Sequence, residues 1–112
     1  MNNVYIMSAN RSAIGGFGGT LKNHCPVDLG TLVAKEAIAR SGYEANEVEH
    51  AVFGNVIHTE PRDMYVSRVI ALQAGMDKAS AALTVNRLCG SGLQAIVSAS
   101  QILMLGDASV AM

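Results

Sequence analysis

From Gly90 through Leu105 the chain carries no charged residue. Leu93, Ile96, Val97, Ile102, Leu103, Met104 and Leu105 would spread around much of the circumference of a helix that Gly106-Asp107 ends. A helix that is apolar on most sides needs cover on most sides. The segment therefore belongs between layers and not on a surface. A chain of 112 residues has difficulty supplying that cover alone, so the expectation is that part of the partner surface lies outside it. Ala108 to Met112 supports the same expectation, because it has the character of a strand with no turn or polar tail after it.

The rest of the sequence alternates short apolar runs with helical patterns. Val4 to Met7 suits a buried strand and leads through Arg11-Ser12-Ala13-Ile14 into a glycine cluster, Gly15 to Gly19. Asp28 is the expected N-cap of a first helix, with Pro26 upstream and Gly42 closing it. Leu29, Leu32, Val33 and Ala37 keep helical spacing, with Glu36 intruding on that face. Ala51 to Ile57 reads as a strand, Tyr65 to Ala74 as a helix stopped by Gly75, and Ala82 to Asn86 as another strand. Ser91 to Leu105 is the third helix and Ala108 to Met112 the fourth strand. This rhythm predicts an α/β layer fold around a parallel or mixed sheet, with residues 1–112 as one domain unit.

Composition narrows the function classes. Half the residues are apolar and 15% are charged, which argues against disorder. A formal net charge of −1 gives no electrostatic case for nucleic acid or an anionic membrane surface. The N-terminus, from Met1 to Met7, has no basic region followed by a long apolar stretch. No apolar run is expected to reach the roughly 18 residues of a membrane span. The two cysteines, Cys25 and Cys89, have no metal-ligand spacing, and sequence leaves a disulfide between them open. Low cysteine usage favours a reducing compartment, and a cytoplasmic location is the expectation.

Cys89 stands where a strand turns into a helix. Such an elbow lifts a sulfur out of packed layers, and the helix N-terminus offers unpaired N–H groups and partial positive charge to a thiolate. The small residues Gly90, Ser91 and Gly92 would let the backbone bend and a bulky thioester approach. A thiolate is the natural acceptor of an acyl group from another thiol. Cys89 is thus the candidate nucleophile. Ser91 lacks the glycine two residues on that a nucleophile elbow needs, since Leu93 stands there. The glycine cluster contains no G-x-G-x-x-G and is followed by no Gly-Lys-Ser/Thr, so it is read as a loop. His24, His50 and His58 share no motif that would make a metal site, and Cys25 beside His24 is read as a loop residue. Arg62 and Arg68 are read as solvated, and the methionines as core filling.

Val85-Asn86, two residues, Cys89-Gly90-Ser91-Gly92-Leu93, one residue, then Ala95-Ile96 and later Leu103 resemble the acyl-enzyme signature of thiolases. Arg11-Ser12-Ala13-Ile14-Gly15 with Phe17-Gly18-Gly19 is similar to that family's opening strand and loop. Asp28-Leu29-Gly30 resembles its first helix start, and Phe53-Gly54-Asn55-Val56 its second strand. The loop Thr59 to Tyr65 looks more like the β-ketothiolase branch than the commoner glycine-rich version.

The resemblance implies a layered α/β/α/β/α fold of two similar halves, with this chain as most of the N-terminal half and the helix after Cys89 in the middle layer. It also implies acyl transfer. Cys89 takes an acyl group from acyl-CoA and passes it to acetyl-CoA, giving a 3-ketoacyl-CoA, or runs the reverse thiolysis. Coenzyme A thioesters are then substrates, no cofactor is required, and the intact protein is a homo-oligomer. The family's Gly-His-Pro and Cys-x-Gly motifs, which supply its bases, do not occur in these residues, so the fragment alone is expected to be inactive. Two other readings stand beside this one. The first is a ketoacyl-synthase-like condensing enzyme served by an acyl carrier protein. The second is a thiolase-like binding module in which Cys89 is merely buried.

Overall fold

A computed structural model describes residues 3–112. Met1 and Asn2, part of the segment read above for a leader, lie outside the described residues. Three helices and two strands form in the order α1 (Pro26–Ser41), β1 (His50–Gly54), α2 (Val66–Ala74), β2 (Ala81–Val85) and α3 (Ser91–Leu105), with short 3-10 turns at Ala45–Glu47 and Pro61–Tyr65.

The helix ends follow from local chemistry. Gly42, Gly75 and Gly106 each adopt a left-handed conformation just past α1, α2 and α3, which a residue without Cβ takes at little cost. The start of α1 differs from the sequence expectation. Cys25, in extended conformation, is the N-cap and Pro26 opens the helix, so Asp28 lies inside the first turn. Proline fits there because its missing N–H has no helical partner to lose, and Asp28 still meets the positive end of the helix dipole. α2 begins at Val66, one residue later than expected, because a 3-10 turn takes up Tyr65.

β1 and β2 pair in parallel, with Val52 opposite Leu83 and Gly54 opposite Val85. The last residues join them without forming a full ladder. His50 and Ala111 make a parallel bridge, Val52 N–H donates to the Met112 carbonyl at 2.7 Å, and Met112 N–H donates to the His50 carbonyl at 2.8 Å. The expected fourth strand is thus present as a bridge on the other edge of β1.

Side chains alternate across β1. Ala51 packs with Val48, Ala71 and Met76, and Phe53 packs against a second cluster of Val27, Ala34, Val66, Ile70 and Ala74. Gly54 faces the other way, against Ser91. Helices α1 and α2 therefore cover one face of the sheet, and α3 lies on the opposite one. Gly30 lets α1 approach α2 closely, since a Cβ there would stand 2.3 Å from Ile70 Cδ1.

Two further expectations are corrected. Val4 to Met7 joins no strand, and Tyr5, Ile6 and Met7 are exposed. Its neighbourhood is tied to α1, where Ser8 Oγ donates to the Ala37 carbonyl at 2.8 Å and Asn10 Nδ2 to that of Val33 at 3.0 Å. A cavity of about 1020 Å3 is lined by Val4 to Ser8 on one side and Ala108 to Met112 on another. The second correction concerns membrane-span length. Counted from Leu88, the apolar stretch reaches 18 residues and passes the test of length and composition for a span. A core helix passes the same test. Here one face of α3 packs on the sheet, yet only 11% of that stretch is buried within the chain. Leu93, Ile96 and Leu105 are among its exposed side chains.

Contiguous apolar surface of this kind drives association. The 112-residue chain by itself should bind an apolar dye and elute from size exclusion as oligomers. A dye-silent monomer with a sharp unfolding transition would contradict this description of α3.

Candidate active site

Four residues shape the turn that presents Cys89. β2 ends at Val85, and Asn86 Oδ1 then accepts the Leu88 N–H at 3.0 Å. This is the short polar turn that asparagine forms with backbone two residues on. Leu88 takes the strained position, with φ of 48°, a conformation that non-glycine residues rarely adopt. Sequence placed the bend in Gly90 and Gly92. In the structure Gly90 has an ordinary φ of −88°, and a Cβ on Gly92 would meet nothing within 4 Å. The tight conformation thus falls one residue before the cysteine, where no glycine marks it.

Ser91 holds that conformation. The residue is buried, its Oγ accepts the Arg87 N–H at 2.8 Å, and it donates to the Leu88 carbonyl at 2.7 Å. Both bonds close over Leu88, so Ser91 is a structural staple. Arg87 reaches along the outside of α3 to Gln94 Oε1. From below, Gly54 sets the distance between β1 and the helix start. A Cβ there would lie 2.8 Å from the Ser91 backbone carbon and 2.9 Å from its carbonyl oxygen, closer than real Cβ atoms come. No alanine fits without moving the elbow.

Cys89 itself is exposed and free, and Cys25 is a half-buried free thiol, so the two form no disulfide. The Asp28 side chain beside Cys25 pushes the thiol's pKa up, the Asp28 backbone N–H pulls against it, and burial and Glu60 add to the rise, so the net direction is upward. Arg62 Nη2 donates to Cys25 Sγ at 3.3 Å and pairs with Glu60 at 2.8 Å, so that arginine is exposed to solvent, as expected, and also paired. Arg68 is likewise engaged, donating to the carbonyls of Ser80 at 2.7 Å and Lys78 at 2.8 Å. His24 and His58 are exposed, and His50 sits half-buried at the start of β1. Among the described residues no group of His, Cys, Asp and Glu is placed to hold a metal ion. Of the methionines, Met76 is buried, whereas Met7, Met64 and Met104 are exposed. Core filling describes only the first of these.

Next to the elbow, Asp63 supports the loop after β1. It is fully buried, and its Oδ2 accepts the Thr59 N–H at 2.7 Å, the Thr59 hydroxyl at 2.8 Å and the Glu60 N–H at 3.2 Å. Its carbonyl receives Asn55 Nδ2 at 3.1 Å, while Asn55 N–H donates to Val85 at 3.0 Å. The loop and the end of β2 are thereby joined through Asn55.

The geometry is that of a thiol presented at the mouth of a helix. The family description "Thiolase, N-terminal domain" matches residues 4–112. The chain belongs to the thiolase family. It is 58% identical over 108 residues to the beta-ketothiolase BktB of Cupriavidus necator, covering 96% of this chain and 27% of that relative. It is 36% identical to the mitochondrial 3-ketoacyl-CoA thiolase of Bos taurus, across 98% of this chain and 28% of the relative. The crystal structure of human mitochondrial 3-ketoacyl-CoA thiolase superposes with a TM-score of 0.90 at 35% identity, over 93% of this chain and 26% of that one. The acetyl-CoA acetyltransferase of Bacillus anthracis gives 0.86 at 41% identity, over 92% and 26%. This thiolase chain therefore has the thiolase α/β fold, and it spans about a quarter of the length of its relatives.

The Asp63 carboxyl gives the site a measurable pH signature. Burial opposes its ionisation, but the hydrogen bonds from Thr59 and Glu60, with His58 acting in the same direction, hold its pKa below the ordinary 3.8. A group depressed on folding stabilises fully above its unfolded pKa, and that contribution is lost as pH falls through the folded value. The wild type should thus lose stability below about pH 4 more steeply than Asp63→Asn. Urea denaturation at pH 3, 4 and 7 checks this, and parallel slopes for the two proteins would contradict it.

Proposed function

We propose that this chain is the N-terminal, nucleophile-bearing part of a thiolase that makes and cleaves 3-ketoacyl-CoA, with Cys89 as the acyl acceptor. The observation that carries the reading is the exposed Cys89 thiol on a stapled turn at the N-terminus of α3. The relatives' names support the reaction class, and one solved relative is human mitochondrial 3-ketoacyl-CoA thiolase in complex with CoA.

In the first half-reaction the Cys89 thiolate attacks the carbonyl carbon of an acyl-CoA. A C–S bond forms to Cys89, the bond to the CoA sulfur breaks, and CoA leaves carrying the proton that Cys89 gave up. The Cys89 N–H, at the helix start, helps hold the oxyanion that forms in between. In the second half-reaction a base removes an α-proton from acetyl-CoA. The resulting carbanion attacks the S-acyl carbonyl, a C–C bond forms, and Cys89 leaves as thiolate. Thiolysis is the same sequence run backwards.

Two bases are needed, and no histidine of this chain sits in the elbow. They belong, in this proposal, to the remaining three-quarters of a protein the length of its relatives. That part would also cover α3. The edge of β2 that faces away from β1 supports a homo-oligomer, since an open edge is a ready template for pairing.

Cys89→Ala in the full-length protein should lower acetoacetyl-CoA thiolysis by at least about a thousandfold, on the scale seen when a covalent nucleophile is removed. Its melting temperature should stay close to wild type, because a small side chain suits an exposed turn. Wild-type turnover by Cys89→Ala would refute the assignment.

A further inference from the structure

Ser67, in the first turn of α2, is 1% exposed, and its hydroxyl reaches both strands. Its Oγ accepts the Phe53 N–H from β1 at 3.1 Å and donates to the Leu83 carbonyl of β2 at 2.8 Å. The Thr84 hydroxyl donates to Ser67 Oγ at 2.9 Å and accepts the Ser67 N–H at 3.3 Å. The serine oxygen thus uses its one donor and both acceptor sites.

The location is unusual for a hydroxyl. Ala81 N–H donates to Glu49 at 2.9 Å and Asn55 N–H to Val85 at 3.0 Å, and the register between these bonds turns the Phe53 N–H toward the Leu83 carbonyl. In a parallel pair such groups satisfy one another. Here a side chain from α2 bonds to both as well. It does so one residue before Gly54, which receives the backbone of Ser91, and Thr84 stands two residues before Asn86, which begins the elbow.

We propose that Ser67, together with Thr84, is a positioning residue for Cys89: the hydroxyl pair braces β1 and β2 against α2 where the two strands deliver the floor and the start of the elbow. The inference rests on the proposed acyl transfer at Cys89, and neither residue is placed at that thiol. A merely stabilising role predicts something different. Without the Ser67 hydroxyl the two strands still pair in the same register, so the fold survives. The rung then loses its tie to α2, and any shift of Gly54 meets the Ser91 backbone, given a clearance that already excludes a Cβ. The change passes to the elbow.

The test uses the full-length protein with Ser67→Ala, Thr84→Val and the hydroxyl-keeping Thr84→Ser. Acylation of Cys89 by acetyl-CoA is followed by acid quench, and iodoacetamide labelling of Cys89 is compared with that of Cys25. Ser67→Ala and Thr84→Val should each slow Cys89 acylation about tenfold, the scale of a sub-ångström misplacement. KM and the Cys25 labelling rate should change less than about twofold, and Thr84→Ser should keep the wild-type rate. Ser67→Ala acylating at the wild-type rate would overturn the inference. So would Thr84→Ser being as slow as Thr84→Val, or losses that only follow the melting temperature. If the wild type itself takes no acyl group on Cys89, the proposed function falls. The labelling ratio then decides alone: a ratio unchanged by Ser67→Ala overturns the positioning role, and an altered one upholds it.

Discussion

The close approach of Gly54 to Ser91 is the contact on which the rest of this structure depends. With only 2.8 Å from an added Cβ to the Ser91 backbone carbon and to its Cβ, β1 meets the start of α3 through a glycine backbone. That contact sets where α3 crosses the sheet. It buries Ser91 and so places its hydroxyl where it can close over Leu88. The positive φ of Leu88 persists because the surrounding bonds over-determine it. An exposed cysteine on such a turn is held by its neighbours on both sides without being packed itself.

The outline of the fold was legible in the sequence for physical reasons. Ser91 to Leu105 has the bounds that the charge-free stretch and Gly106 announced, because glycine after an apolar run satisfies helix-end geometry in nearly any context. β1 and β2 were found to within a few residues, since apolar runs between polar turns have few other uses. Asp28 was misplaced as a cap because proline two residues earlier is an equally good helix start, and only the path of the preceding chain decides between them. Val4 to Met7 has the composition of a buried strand but lacks a paired neighbour among the described residues. Strand pairing is a property of two segments, and one segment cannot report it.

The site was legible in part. The motif pointed to Cys89, and the Asp28 side chain beside the other cysteine, Cys25, opposes ionisation of that thiol. The supports of the elbow were missed. Gly90 and Gly92 drew attention as glycines, yet the strain falls on Leu88, which no residue type announces. Asn86, two residues before Leu88, was the available signal, since asparagine favours such turns. Ser67 and Thr84 lie far apart in sequence and belong to a helix and a strand that look ordinary. Their hydroxyls meet only because α2 packs over the β1–β2 rung.

The family assignment and the exposed thiol converge on one claim, that Cys89 carries the acyl group. The direct measurement is a mass-spectrometric map of the full-length protein after brief exposure to isotopically labelled acetyl-CoA and acid quench, with the two thiols serving as each other's control. The account predicts a labelled acetyl group on the peptide containing Cys89 and none on the peptide containing Cys25. Label on Cys25, or on neither cysteine while the protein still turns over, would contradict it.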